Sequence, residues 1–259
     1  MNTQRPKADP GIQRFRPFLL LSTRPEDDAA EGEREAVARF GGLRPGELVQ
    51  FRVEQETLPA LRLREYSGII LGGGPFNASD DVKSDLQLRV EADLGRVLDE
   101  VLRDDIPFLG LCYGVGTVTT HLGGTVDTTF GEPVGAIDVD VTPEGLRDPL
   151  LAGSQAVLRA FVGHKEAVAS LPERAVLLAS GSACPVQMFR VGDNCYVTQF
   201  HPELDGPGIG ARIQIYRNFG YFAPEETDRL VEDTSREEIS PEVHAIIRRF
   251  VDRYATQSR

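Results

Sequence analysis

The first half of the chain alternates short apolar runs with amphipathic stretches. Phe18-Leu-Leu-Leu-Ser22 is bounded by Pro17 and by the polar segment Thr23 to Asp28, which predicts a strand and then a helix, with Thr23 as the cap and the acids at the helix N-terminus. The helix is expected to reach Phe40 and stop at Gly41-Gly42, and Leu48 to Val53 then alternates as a strand does. Ser67-Gly-Ile-Ile-Leu71 reads as a buried strand running into Gly72-Gly73-Gly74-Pro75. From Asp85 to Arg103, Leu86, Val90, Leu94, Val97, Leu98 and Val101 recur at steps of three and four, forming one face of a helix that ends near Asp105 and Pro107. Phe108 to Cys112 is another apolar strand, and Tyr113 to Leu122 a helix closed by Gly123-Gly124. The order β-α-β-β-α-β-α predicts an α/β fold with an open, mostly parallel sheet covered by helices on both faces.

The middle changes character. Gly135 to Val141 alternates, Ala175 to Ala179 and Val186 to Arg190 are short and separated by turn residues, and Asn194 to Phe200 gives a last strand. This part is expected to add mixed or antiparallel strands to the sheet. Ile209 to Phe219 is a helical candidate, and residues 223–259 form a helical extension. There Ser240-Pro241 suits a helix start, and Val243, Ile246, Ile247, Phe250, Val251 and Tyr254 line one stripe. That stripe packs either on the same chain, the favoured expectation, or on a second copy in a homo-oligomer. Residues 1–17 read as a disordered tail.

Composition narrows the function classes. The chain has 259 residues, enough for a substantial core, and 28 Lys and Arg against 40 Asp and Glu, a formal net charge of -12. A broad cationic face for nucleic acid or an anionic bilayer is not expected. Three Cys and no long apolar segment point to a reducing cytoplasm and leave every thiol free. Cys184 and Cys195 belong to no compact Cys/His set in the sequence, so no metal is expected, nor any cofactor.

The strongest chemical signal is Gly110-Leu-Cys112-Tyr-Gly114 at a strand-to-helix junction. Flanking glycines allow a tight turn, and a helix start places unpaired N–H groups and positive potential beside a thiolate, as in the nucleophile elbow of hydrolases. The other reading of Cys112 is a buried structural thiol. A cysteine nucleophile needs a base held by an acid. Of the four His, His244 falls in the C-terminal helix, and His121 is structural or peripheral. His201 follows a strand, precedes Pro202 and has Glu203 two residues on, within reach of one ring nitrogen. The Gly72-Gly73-Gly74-Pro75 run is either an ordinary turn or a loop whose N–H groups, with that of Tyr113, form an oxyanion hole.

Gly110 to Gly114, the Gly-Gly-Gly-Pro75 loop and Gln199-Phe-His-Pro-Glu203 together resemble the signature segments of class I glutamine amidotransferases, the Cys-His-Glu group, from about Phe18 to Phe219. Asn77-Ala-Ser-Asp80, Gly163-His-Lys-Glu166 and Pro185-Val-Gln-Met-Phe189 make the chain most similar to stand-alone proteins like the amidotransferase domain of GMP synthase. The resemblance implies a flavodoxin-like three-layer fold over residues 18–222. It implies that Cys112 attacks the side-chain amide of glutamine, His201 acts as base and acid, and Glu203 orients it. A γ-glutamyl thioester then yields ammonia and glutamate. Gly73 or Gly74 with Tyr113 holds the oxyanion, and His164 lies on the loop that carries a His in GMP-synthase-type domains, where it is either a substrate-pocket contact or a surface or packing residue.

One position departs from the family. Gly116 stands where many members carry a Gln that helps hold the substrate glutamine, so a hydrogen-bonding side chain is missing there. No phosphate-binding Gly-x-x-x-x-Gly-Lys-Ser/Thr motif occurs, so the expected acceptor of ammonia is a separate synthetase. The alternatives are hydrolysis of another γ-glutamyl amide or peptide, and a catalytically impaired binding module.

Overall fold

The computed structural model describes residues 16–255, so the expectation for residues 1–17 falls almost wholly outside the described residues. The chain runs β1 (Phe18–Ser22), α1 (Asp27–Gly41), β2 (Leu48–Arg52), β3 (Ile69–Leu71), α2 (Asp85–Asp104), β4 (Phe108–Leu111) and α3 (Tyr113–His121). It continues with β5 (Thr125–Asp127), β6 (Glu132–Val141), α4 (Pro143–Arg147), β7 (Val157–His164), β8 (Ala167–Ser170), β9 (Ala175–Gly181), β10 (Met188–Val191) and β11 (Cys195–Thr198). Helices α5 (Gly206–Ile215), α6 (Thr227–Ser235) and α7 (Pro241–Tyr254) complete it.

Nine strands form one sheet in the order β2-β1-β3-β4-β11-β10-β9-β6-β7. Pairing is parallel from β2 through β11 and antiparallel from there to β7, so the expected added strands extend the same sheet. Strands β5 and β8 form a separate antiparallel pair.

The continuous apolar runs follow from burial on both faces. Phe18 and Leu20 of β1 point into one core with Val37 of α1 and the stripe of α7, whereas Leu19 and Leu21 point into the other with Val90, Leu94 and Val101 of α2. The α7 stripe is therefore covered by its own chain: Val243, Ile246, Ile247 and Phe250 are fully buried, and the Phe250 ring lies 6.0 Å from that of Phe18.

Two caps differ from expectation. Glu26, not Thr23, stands at the start of α1, and the buried Thr23 hydroxyl donates to the Gly73 carbonyl (3.1 Å). Ser240 does precede α7 with Pro241 in the first turn, but its hydroxyl accepts the Arg159 N–H of β7 (2.8 Å) instead of capping.

The parallel half positions the chemistry. Strands β3, β4 and β11 are neighbours, with Leu71 beside Gly110 and Leu111 beside Thr198, so their carboxyl ends lie together. Ligands in open α/β sheets bind at such ends. Here they deliver the glycine loop, Cys112 and the segment to Glu203 to one place.

Candidate active site

Cys112 occupies the turn between β4 and α3 with φ 50° and ψ -88°, a strained backbone for a residue with a side chain. Its N–H donates to Thr198 O of β11 (2.8 Å), which ties the turn to the neighbouring strand. Gly110 permits this geometry: a Cβ there would stand 3.0 Å from Val197 and 3.1 Å from the Gly114 backbone. Tyr113 is the first helical residue, so its N–H has no partner within the helix.

His201 is 6 % exposed and its Nδ1 is 2.7 Å from Glu203 Oε1, leaving Nε2 for Cys112. Burial disfavours the charged ring, but the carboxylate of Glu203, the sulfur of Cys112 and hydrogen bonds to both outweigh it and raise the His201 pKa to about 10. Against its own burial, Glu203 is held below the usual carboxylate range by His201. The Gln199 amide Nε2 approaches the Cys112 sulfur at 4.0 Å. His244 braces this segment from α7: its Nδ1 is 2.8 Å from Pro202 O, and its ring stacks on Phe40 at 4.0 Å. His121 faces Asp99 of α2 and takes no part.

The glycine loop is crowded from behind. Glu33 of α1 is fully buried and accepts from Ser22 Oγ (3.1 Å), Arg24 Nε (2.7 Å) and the Gly73 N–H (3.1 Å). A Cβ on Gly72 would overlap the Glu33 carboxylate, and one on Gly73 would lie 2.5 Å from Arg24 Nη2. The run is thus set by close approach to a buried charge cluster and is more than a turn. The Gly73 N–H is taken up by Glu33 in this arrangement. Among the described residues no acceptor takes the Gly74 N–H.

The space at Gly116 is filled by Glu166. A Cβ at Gly116 would meet Glu166 Oε1 at 3.0 Å and Ala78 Cβ at 3.1 Å. Glu166 accepts the N–H groups of Ala78 (2.7 Å) and Ser79 (2.8 Å), so it clamps the loop that follows the glycines. Together with Cys112, Tyr113, Gly116 and Gln199 it lines a cleft of about 360 Å³, open mouth included.

His164 also lines that cleft, yet both of its nitrogens are engaged away from the sulfur: Nδ1 with Glu166 O (2.9 Å) and Nε2 with Glu132 Oε2 (2.9 Å). It braces the wall. Glu132 additionally accepts from Gln187 Nε2 (2.6 Å), and Cys184 joins it and His164 with one atom of each within 4.8 Å of the others. The fold thus assembles a compact Cys-His-Glu group where the sequence showed none. All three side chains are buried, the Cys184 thiol donates to Val186 O (3.4 Å), and burial pushes its pKa up to about 11. The three cysteines are free thiols.

Sequence reasoning missed Glu33, Arg24, Glu166 and Arg212. A signal existed for Glu33: it falls on the helical stripe of Ala29, Ala30, Ala36 and Val37, where an acid interrupts an apolar face.

The family model for glutamine amidotransferase class-I matches residues 38–215. The chain belongs to this family. A glutamine-hydrolyzing GMP synthase of Hamiltonella defensa is 34% identical over 143 residues, covering 53% of this chain and 25% of that protein. The chain thus spans about a quarter of the length of that relative. A shorter relative, one of the subunits of the glutamine-hydrolyzing GMP synthase of Sulfurisphaera tokodaii, is 30% identical over 162 residues, covering 62% of this chain and 79% of that one. Among solved structures, a glutamine amidotransferase from Thermotoga maritima superposes with a TM-score of 0.74 at 22% identity, covering 92% of this chain and 98% of that one. The glutamine amido transferase from Methylobacillus flagellatus has a TM-score of 0.70 at 18% identity, covering 95% and 98%. Both share the fold. Among the described residues no helix is long and apolar enough to cross a membrane.

Proposed function

We propose that this chain hydrolyses the side-chain amide of glutamine through a thioester on Cys112. The observation that carries the reading is the Cys112 elbow facing a His201 whose other nitrogen is held by Glu203 at 2.7 Å. The Cys112 sulfur attacks Cδ of the substrate, and the oxyanion is met by the N–H groups of Tyr113 and Gly74. His201 Nε2 gives its proton to the leaving nitrogen as the C–N bond breaks. Water then attacks the thioester, His201 takes a proton, and glutamate leaves as the sulfur is released. The Cys184 group has the same residue types, but a fully buried thiol with a raised pKa is a poor nucleophile, which favours Cys112.

The raised pKa of His201 has a sign. Below about 10 the ring keeps the proton that the leaving nitrogen needs; above it that proton is lost. The kcat/KM for glutamate release is therefore expected to hold through roughly pH 8 to 9 and to fall as pH rises through about 10. A falling limb near neutrality in a pH–rate profile would contradict this.

Glu166 takes the place of the side chain absent at Gly116 and receives the substrate α-ammonium, its second lone pairs being free once Ala78 and Ser79 are bound. Glu166→Gln replaces one acceptor by a donor that faces a backbone N–H. Its KM for glutamine is expected to rise about 10- to 100-fold with a smaller change in kcat. An unchanged KM removes Glu166 from recognition.

The ammonia passes to a separate synthetase chain, in the cytoplasm. Residues 18–222 act as the amidotransferase unit and 223–259 as an extension packed on it. Glutamate production by the purified chain, with and without a candidate synthetase, tests the reading.

A further inference from the structure

Two cavities meet at Cys112. The cleft lined by Tyr113, Gly116, Glu166 and Gln199 suits the glutamyl half of a substrate. The second shares Gly74, Cys112, Gly163 and Tyr221 with it but extends to the other side, where His201 forms part of the wall. About 60 Å³ of it is open to the centre of a water-sized molecule. The nitrogen that leaves must take its proton from His201, so the leaving group occupies this second cavity.

Ammonia has about the size of a water molecule, which needs roughly 10–15 Å³ on that measure, and it has no apolar surface to bury. The wall is built for something else. Val134, Ile209, Ile213 and Phe222 supply apolar contacts. Arg24 and Arg212 supply cations, and they share Glu33, the next carboxylate acting on them being Glu203, which His201 already holds. Glu33 is 2.7 Å from Arg24 but 3.9 Å from Arg212. Arg212 is 7 % exposed, and its Nη1 is buried with no hydrogen-bond partner among the described residues. Burial, and then the neighbouring charge of Arg24, lower the Arg212 pKa to about 10, the direction expected of a buried cation short of a counter-ion.

We propose that the second cavity is a leaving-group site, and that the preferred substrates are γ-glutamyl dipeptides whose second residue is an apolar amino acid, its carboxylate facing Arg212 and Arg24. The proposal rests on the thioester reading and names its substrate class. The steps balance as for glutamine: the Cδ–S bond forms, the Cδ–N bond breaks, the nitrogen takes the His201 proton, and the free amino acid departs in place of ammonia. Water then releases glutamate.

The test compares kcat/KM for glutamate release by the full chain from glutamine, from γ-glutamyl-leucine and from γ-glutamyl-isoamylamide, which keeps the apolar body and lacks the carboxylate. The dipeptide is expected to exceed glutamine by about tenfold or more, and the isoamylamide to fall about tenfold below the dipeptide. Val134→Phe, at a half-buried position on the cavity wall, is expected to lower the dipeptide-to-glutamine ratio. The wild-type comparisons do not depend on the variant folding. Glutamine hydrolysed as well as or better than the dipeptide overturns the leaving-group site and leaves the glutaminase reading standing. Equal rates for dipeptide and isoamylamide overturn the role of the arginines. No glutamate from any of the three, with Cys112 unacylated, overturns the thioester reading itself.

Discussion

Cys112→Ala is expected to lower glutamate release by about 10⁴- to 10⁶-fold while leaving the fold intact. The magnitude follows from the way a nucleophile and its base act as a unit, so that removing the attacking atom forfeits most of what the group achieves. The fold is expected to tolerate the change because Cys112 is partly exposed and its polar neighbours, the Gln199 amide at 4.0 Å and the His201 ring among them, hold it loosely. Alanine also relieves nothing of the strained φ of 50°, so the elbow keeps its shape through Gly110 and the bond from the residue 112 N–H to Thr198. Circular dichroism and thermal unfolding alongside the activity assay check both halves. Cys184→Ala, in contrast, is expected to retain the ability to form the thioester. Loss of acylation in the Cys184 variant with its retention in the Cys112 variant would move the chemistry to the buried group of Glu132, His164 and Cys184.

Glu33→Ala is expected to destabilise the chain by about 3–5 kcal/mol, the range for removing one partner of a buried ion pair. Glu33 is fully buried and joins three elements: Ser22 at the end of β1, Arg24 just beyond it, and the Gly73 N–H after β3. Without it Arg24 keeps its hydrogen bond to the Tyr216 hydroxyl, and Arg212 loses the anion 3.9 Å away. The loop that carries the Gly74 N–H loses its anchor at the same time. Urea or thermal unfolding measures the stability term. A variant that unfolds at the wild-type midpoint would show that the cluster is solvated and contributes little. Glu33→Gln keeps the volume and one acceptor, and is expected to fall between the two.

The parallel half of the fold is legible in the sequence because it is buried on both faces. Runs such as Phe18 to Leu21 and Ile69 to Leu71 cannot be mistaken for amphipathic helix, and the α2 stripe holds from Val90 to Val101, although Leu86 is exposed and the polar Gln87 and Asp93 are buried on that helix. The antiparallel half is legible only in part, and strands β5, β7 and β8 escape the sequence pattern. In β7, Ala160, Phe161 and Val162 are buried in succession, so the period-two signal is lost, and β5 and β8 are short.

The chemistry divides in the same way. Cys112, His201 and Glu203 stand out because each lies at a strand end with its partner a few residues away or in a small-residue frame. Glu166 belongs to a recognisable segment, but its role depends on the space left at Gly116, a contact between β4–α3 and β7–β8 that no local pattern encodes. Gly73 looks like a free donor in the sequence because nothing in its neighbourhood announces the carboxylate arriving from α1. Arg212 lies between Ile209 and Ile213 on a short helix, and its burial is set by α5 packing over the carboxyl ends of the strands.

The central claim is that Cys112 carries the γ-glutamyl group. Rapid acid quench during turnover of glutamine or γ-glutamyl-leucine, followed by intact-mass and peptide mass spectrometry, tests it most directly. The expected result is a covalent adduct of one γ-glutamyl group on the peptide containing Cys112, absent from Cys112→Ala. An adduct on Cys184, or glutamate release with no acylated cysteine at any quench time, would contradict it.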